Sequence, residues 1–307
     1  MQNISSKEKN RAALNSVFWA CLLTGGKLVV GILSGSLGIL AEAAHSGLDL
    51  VAALVTLIAV RAASKPADRG HAYGHGKVEN LSAMVETLLL LGTCAWISYE
   101  SIHRLASAHV RVDASIWAFA VMIGSILIDV SRSRMLYRVA KKHRSQALEA
   151  DALHFSTDVW SSSVVIFGLI GVRIAEAYPS LAFLERTDAV AALCVAAIIV
   201  VVSGRLGIRT VEGLLDASPV GVADLIKSRV EALDEVIDCH AVRVRHSGPH
   251  FFVDLHITLD RDLPLHVVHD LTETVERVVE DILAGADVTV HPEPTLPPTA
   301  GAESAPQ

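Results

Sequence analysis

The sequence predicts an α-helical membrane protein with six spanning helices, followed by a small α+β domain. Three observations predict it. The chain is 51% hydrophobic with a mean hydropathy of +0.45, too apolar for an ordinary soluble domain. Six apolar runs, at about 13–34, 38–62, 80–104, 114–137, 148–174 and 187–210, are each long enough to cross a bilayer. From about Pro219 these runs stop, and amphipathic and alternating patterns replace them. The expected organisation is an N-terminal segment 1–12, a membrane domain 13–215, a second domain 216–294 and a tail 295–307.

Charge follows the same division. Of 33 acids and 26 bases, 16 acids and 6 bases lie after Asp216, leaving 17 acids and 20 bases in the earlier part. An acidic terminal domain argues against nucleic acid and fits attraction of cations. The four cysteines, Cys21, Cys94, Cys194 and Cys239, are scattered without a C-x-x-C pair, so no disulfide framework is expected.

The first residues, MQNISSKEKNRAALNS, are polar, and the apolar run after them lacks a clear cleavage site. It therefore reads as a retained first span, not a signal peptide. Each span must be a helix, because lipid offers the backbone no hydrogen-bonding partner. Glycine-rich Gly35–Gly38 sets the first two spans as a tight hairpin. Basic residues concentrate before the first span (Lys7, Lys9, Arg11) and between the second and third (Arg61, Lys65, Arg69, Lys77). A third group falls between the fourth and fifth: Arg132, Arg134, Arg138, Lys141, Lys142 and Arg144. The alternate loops hold fewer, Arg104 and Arg111 in one and Arg173 and Arg186 in another, which predicts cytoplasmic termini. The run RSRMLYRVAKKHRS, read as the fourth-to-fifth loop, is a topology signal or a contact for anionic lipid.

Beyond Pro219, Val220–Leu233 reads as a helix, and Cys239–Arg245 and Phe251–Leu259 as strands joined by His-Ser-Gly-Pro-His. Leu265–Leu283 is a second helix and Asp287–His291 a last strand. The order αββαβ suits a two-layer domain. The Pro-, Ala- and Thr-rich tail is expected to be disordered.

Ionisable groups inside spans are costly and mark function. The second span carries His45 and Asp49, and the fifth carries His154 and Asp158, both as H-x-x-x-D. Residues four apart share a helix face, about 6 Å apart along the axis. Two such faces packed together bring two imidazoles and two carboxylates to one point. One copy would fit a structural His–Asp hydrogen bond; two copies on separate spans favour a metal. An N2O2 set suits tetrahedral Zn²⁺ with arms of about 2.0–2.2 Å. Between the second and third spans, Asp68, His71 and His75 place three donors in eight residues, with glycines that let the chain curl. They read as an exchangeable zinc site, or as a polar loop at the headgroups. Lys27 lies mid-span and is expected to pair with Glu42 or snorkel to a cavity; Glu86, Glu100 and Asp129 are structural or cavity-lining acids. No H-E-x-x-H or nucleophile–base pattern is present, which argues against an enzyme.

The paired H-x-x-x-D spans, the KPADRGHAYGHGKVE segment and the αββαβ domain ending TVHPEP together resemble the cation diffusion facilitator family. The resemblance covers nearly the whole chain and implies a zinc-type metal/proton antiporter of the bacterial inner (plasma) membrane. It implies a homodimer whose C-terminal domain is ferredoxin-like or metallochaperone-like and senses cytoplasmic metal. On that resemblance, Asp68, His71 and His75 hold a second metal. His240, His256, His269, His291 and Glu293 form a cytoplasmic two-metal site, although the family often has Asp where this chain has Glu293. His246, His250 and His266 stay as surface histidines, and Cys239, beside His240, is a weaker ligand candidate. Lys77 and Asp216 match a pair that locks the spans to the C-terminal domain. His45 and His154 would carry the coupled protons, given the ordinary imidazole pKa near 6.5. His in the first ligand position goes with zinc; the open alternatives are Fe²⁺, Co²⁺, Cd²⁺ or Mn²⁺, and a metal sensor that transports nothing. A histidine-rich insert typical of organellar members is absent, with only His143 in its place.

Overall fold

The computed structural model describes residues 2–34, 37–106, 116–177 and 184–296. Two compact units divide at Leu214/Leu215.

Among the described residues, the first unit is a bundle of six helices: α1 (Gln2–Ser34), α2 (Leu37–Ala63), α3 (Lys77–Ala106), α4 (Ile116–His143), α5 (Gln146–Ala177) and α6 (Leu184–Leu214). Among the described residues, four stretches are long and apolar enough on their own to cross a membrane: Ser5–Leu33, Ala43–Ala63, Lys77–His103 and Leu193–Leu214. Helices α4 and α5 carry more polar side chains, and these face inward: Asp129, Arg132, Asp151, His154 and Asp158 are all buried. Helices α1 and α2 pack together, as do α4 with α5 and α3 with α6. Helix α5 also touches α2, α3 and α6 and so runs through the middle of the unit. Small residues allow the close approach: Ala12, Ala13, Ala140, Ala147 and Ala152 pack with Leu57, Val60, Leu136, Leu148 and Phe155 in one buried cluster.

Two sequence expectations need correction here. The basic run taken as the fourth-to-fifth loop is helix. Helix α4 continues to His143 and α5 resumes at Gln146, so the turn is Arg144 (φ 50°) and Ser145. Met, Leu, Arg and Lys are good helix formers, and Leu136 and Ala140 keep the face toward the bundle apolar. Arg132 is accordingly no loop residue but a buried one, its guanidinium 3.5 Å over the Phe155 ring. Helix α1 likewise begins at Gln2, so the polar N-terminal segment forms its first turns. Lys27 donates to Ser46 Oγ at 2.8 Å. The side chains of Glu42 and Glu100, residues 35–36 of the expected hairpin turn and the tail from 297 lie outside the described residues.

The second unit has the order α7 (Val222–Val230), β1 (Asp238–Ser247), β2 (His250–Leu259), α8 (Leu265–Ile282) and β3 (Asp287–Pro294). The sheet order is β1-β2-β3, with β1 antiparallel and β3 parallel to β2. Helix α8 buries Leu271, Val275 and Val279, four apart, and α7 buries Ile226 and Val230. They close over Val253, Leu255, Ile257 and Cys239 of the sheet. Helix α7 is shorter than the sequence suggested, and β3 runs on through Pro292 and Glu293.

Candidate metal centres

Helix periodicity builds the first centre. His45 and Asp49 lie one turn apart on α2, and His154 and Asp158 one turn apart on α5. Because α2 packs on α5, the four head groups meet as a ring that alternates imidazole and carboxylate. His154 Nε2 lies 3.1 Å from Asp49 Oδ1 and 3.7 Å from Asp158 Oδ2. His45 Nε2 lies 3.7 Å from Asp158 Oδ1 and 4.0 Å from Asp49 Oδ1. A tetrahedral ion with arms of 2.0–2.2 Å needs ligand atoms about 3.3–3.6 Å apart. The ring edges bracket that value, and His45, Asp49 and Asp158 each offer an atom close enough to the other two to hold one ion, with His154 adjoining both carboxylates. His154 Nδ1 is buried without a hydrogen-bond partner among the described residues, which leaves Nε2 as its working nitrogen. Exposure differs around the ring: the side chain of His45 keeps 38% of its accessibility, whereas that of His154 keeps 6%.

Further buried polar groups surround this centre. Asp151, one turn before His154, accepts from Ser16 Oγ at 3.0 Å. Arg132 donates to Ser16 at 3.1 Å and faces Asp129 at 3.4 Å. Glu86 is fully buried and accepts from Thr56. Glu86 and Asp129 were legible as acids within spans; Arg132 was hidden by its place in a basic run.

The second centre is the loop between α2 and α3. Asp68 Oδ1 lies 3.4 Å from His71 Nδ1, and Asp68 Oδ2 lies 3.4 Å from His75 Nε2. The carboxylate is oriented by backbone N–H donors of Gly70 and His71, each at 2.8 Å. The His71 donor, foremost, holds its pKa below the usual carboxylate range. Gly74 at φ 75° turns the chain so that both rings face the acid, with centroids 4.4 Å apart. These donors fit a three-coordinate protein site with an open position.

The third centre is a row across the sheet of the second unit. Register pairs His240 of β1 with His256 of β2, and His256 with His291 of β3. Ring centroids are 5.4 and 4.8 Å apart along the row. Glu293, two residues beyond His291 and therefore on the same face, reaches His256 Nδ1 at 2.8 Å, His240 Nε2 at 3.3 Å and His291 Nε2 at 3.9 Å. The hydrogen bond from His256 is the main reason its pKa falls below the usual range. His240, His256 and Glu293 fit a single ion. The longer arm of Glu293 thus reaches the row. His269 stands on α8 with Nε2 3.4 Å from Glu273 and is not in this group. Asp238 holds His240 Nδ1 at 2.8 Å, and its sequence signal is the i, i+2 spacing on one strand face. Cys239 points into the core, fully buried, and burial pushes its thiol pKa up to about 11. It faces away from the histidine row.

Lys77 Nζ donates to the Leu214 carbonyl at 3.3 Å within the first unit. Asp216 lies 3.9 Å from Arg245 within the second.

Two family models match the chain: the cation efflux transmembrane domain over residues 13–215, and the cation efflux protein cytoplasmic domain over residues 222–295. The cation-efflux pump FieF of Yersinia enterocolitica serotype O:8 is 34% identical over 287 residues, covering 92% of each chain. That of Cronobacter sakazakii is 31% identical over 286 residues, covering 93% of this chain and 92% of its own. A solved structure of CzrB is 25% identical and covers 25% of this chain and 89% of its own; its TM-score of 0.23 is too low to bear on the fold.

Proposed function

The chain belongs to the cation diffusion facilitator family of cation-efflux transporters, and from that premise we propose that it exports Zn²⁺ from the cytoplasm in exchange for protons. Membership makes it a membrane transporter of divalent cations and not an enzyme, with a C-terminal domain of the family's dimerising type.

The observation that carries the zinc reading is the alternating ring of His45, Asp49, His154 and Asp158. Two neutral imidazoles with two carboxylates select a borderline ion of tetrahedral habit, whereas an all-oxygen ring would favour Mg²⁺, Ca²⁺ or Mn²⁺. The ring also supports proton exchange. An ion is bound only when both imidazoles are neutral, so loading displaces the protons they still carry. Protonation of His45, the exposed member, from the other side would weaken the ion's hold and release it. His154, deep in the ring, would be the second proton carrier. The ring must open and close in two conformations for this exchange to occur.

The loop donors Asp68, His71 and His75 are proposed as a second, exchangeable zinc site. His240, His256, His291 and Glu293 are proposed as the sensing site of a homodimer, and His269, apart from that row on α8, as a ligand of its second metal. The pairing of Lys77 with Asp216 remains a proposal that links the two units. Placement in the bacterial inner membrane with both termini cytoplasmic is supported by the basic residues flanking α1 to α5.

The test is metal flux in proteoliposomes under an imposed pH gradient, with Zn²⁺ competed by Fe²⁺, Co²⁺, Cd²⁺ and Mn²⁺. Zinc uptake that alkalinises the vesicle lumen and resists equimolar Mn²⁺ is expected. Flux indifferent to the pH gradient, or equal for Mn²⁺, would overturn the reading.

A further inference from the structure

Lys9, Glu79 and Ser145 come from three separate parts of the first unit and meet at one buried point. Lys9 of α1 lies 2.5 Å from Glu79 of α3, with side-chain exposures of 5% and 0%. Ser145, in the two-residue turn between α4 and α5, donates to the other oxygen of Glu79. The same hydroxyl accepts from Leu148 N, and the Ser145 carbonyl accepts from Glu149 N, so Ser145 also caps α5. None of the three is part of the metal ring.

The place of this cluster gives it a role. Lys77, two residues before Glu79, contacts the carbonyl of Leu214, the last residue of α6. The cluster therefore lies at the end of the bundle from which the chain leaves for its cytoplasmic domain. Along α5, Ser145 precedes His154 by nine residues, about 13 Å of helix. That interval is filled: Ala13, Ala147 and Leu148 are fully buried, and Ser16 and Asp151 close it with a hydrogen bond. The bundle is thus closely packed between the ring and that end. The latch joins α3, which packs on α6, to α1 and to the α4–α5 turn. A path for an ion from the cytoplasm must part those groups.

We propose that Lys9, Glu79 and Ser145 form the latch of the cytoplasmic gate, setting how much of the protein stands closed to that side. The proposal rests on the transport reading but not on the metal or the proton. A buried pair is a large lever, because removing one partner strands the other charge away from water. Neutralising Glu79 should shift the balance toward the cytoplasm-open state by tenfold or more.

The experiment uses the full chain in vesicles, with Cys21, Cys94, Cys194 and Cys239 replaced by Ser and a reporter cysteine at Ala13 or Ala147. Accessibility to a membrane-impermeant maleimide added at the cytoplasmic face is compared among Glu79→Gln, Lys9→Met and the exchange Lys9→Glu with Glu79→Lys. Both single variants should label at least tenfold faster, and the exchange should return the rate toward that of the parent. Zinc transport should show a lower KM for cytoplasmic metal together with a lower kcat. Should a single variant fail to assemble, Ser145→Ala, which loses one hydroxyl, serves in its place and should label several-fold faster. Unchanged labelling in assembled variants would overturn the proposal. So would faster labelling that the exchange does not reverse, since that marks a merely loosened fold. Lost zinc selectivity or lost proton coupling with labelling intact would instead count against the transport reading.

Discussion

Asp49 sits between two imidazoles, 3.1 Å from His154 and 4.0 Å from His45, and Asp158 occupies the matching position across the ring. Each carboxylate is therefore placed beside two histidines, and in the proposed site it would be both a donor to the ion and their counter-charge. Asp49→Asn keeps the shape and removes the charge. It should lower zinc flux by more than the roughly 10–100-fold that loss of an outer partner costs a metal site, measured in proteoliposomes at fixed pH. His45→Asp should leave the protein assembled but widen its preference toward Mn²⁺ and Fe²⁺, read by competition flux, because it trades a nitrogen donor for oxygen. Cys239 gives a pH prediction of a different kind. Its thiol pKa, raised to about 11 by burial, exceeds the ordinary value near 8.5. The folded domain holds that proton more tightly than the unfolded chain. The corresponding stability is full below about pH 8.5 and is lost as pH rises toward 11. Cys239→Ala should flatten the alkaline limb of the unfolding curve, followed by denaturant titration across that range. The four ring residues were legible in the sequence because costly side chains recurred at one helical spacing. Arg132 was not, since a cation at the end of an apolar run looks like a topology signal until α4 is seen to continue past it.

The helices and strands carry these residues into place by their periods. A spacing of four along α2 and α5 needs only that the two helices touch, which is why the first centre was readable from the sequence. The third centre depends on register across three strands, and β1 shifts register between His240 and Arg243, with Ala241 at φ 50°. Nothing in one sequence gives that shift, so the alignment of His240, His256 and His291 in one row had to come from the fold. His256 stands in the middle of the row and touches Glu293. His256→Ala should weaken metal binding by the second unit at least about tenfold by calorimetry on the full chain. Maximal zinc flux should change far less, because the ring in the membrane is untouched.

For the whole molecule, the two units differ in kind: a helical bundle of the cation-efflux transmembrane type and an acidic domain, 16 acids against 6 bases beyond Asp216, of the cation-efflux cytoplasmic type. The division was legible from hydropathy alone, since apolar runs end where alternating strands begin. The buried latch at Glu79 was not, because Lys9 and Glu79 are 70 residues apart and each sits in a polar stretch. The proposed proton exchange would be a property of the whole cycle. Zinc export should accelerate as the cytoplasmic side is made more alkaline and the opposite side more acidic, through the range around the imidazole pKa of about 6.5. Lys77→Ala, if Lys77 links the units to each other, should slow transport without loss of metal binding at the ring. The most direct measurement is zinc flux and zinc stoichiometry on one set of vesicles. The protein should carry Asp68→Ala and His256→Ala to weaken the loop and sheet sites, with and without Asp49→Ala and Asp158→Ala. One zinc per chain and sustained flux are expected with the ring intact, and loss of both when either carboxylate is removed. Wild-type flux in the Asp49→Ala and Asp158→Ala proteins would contradict the account.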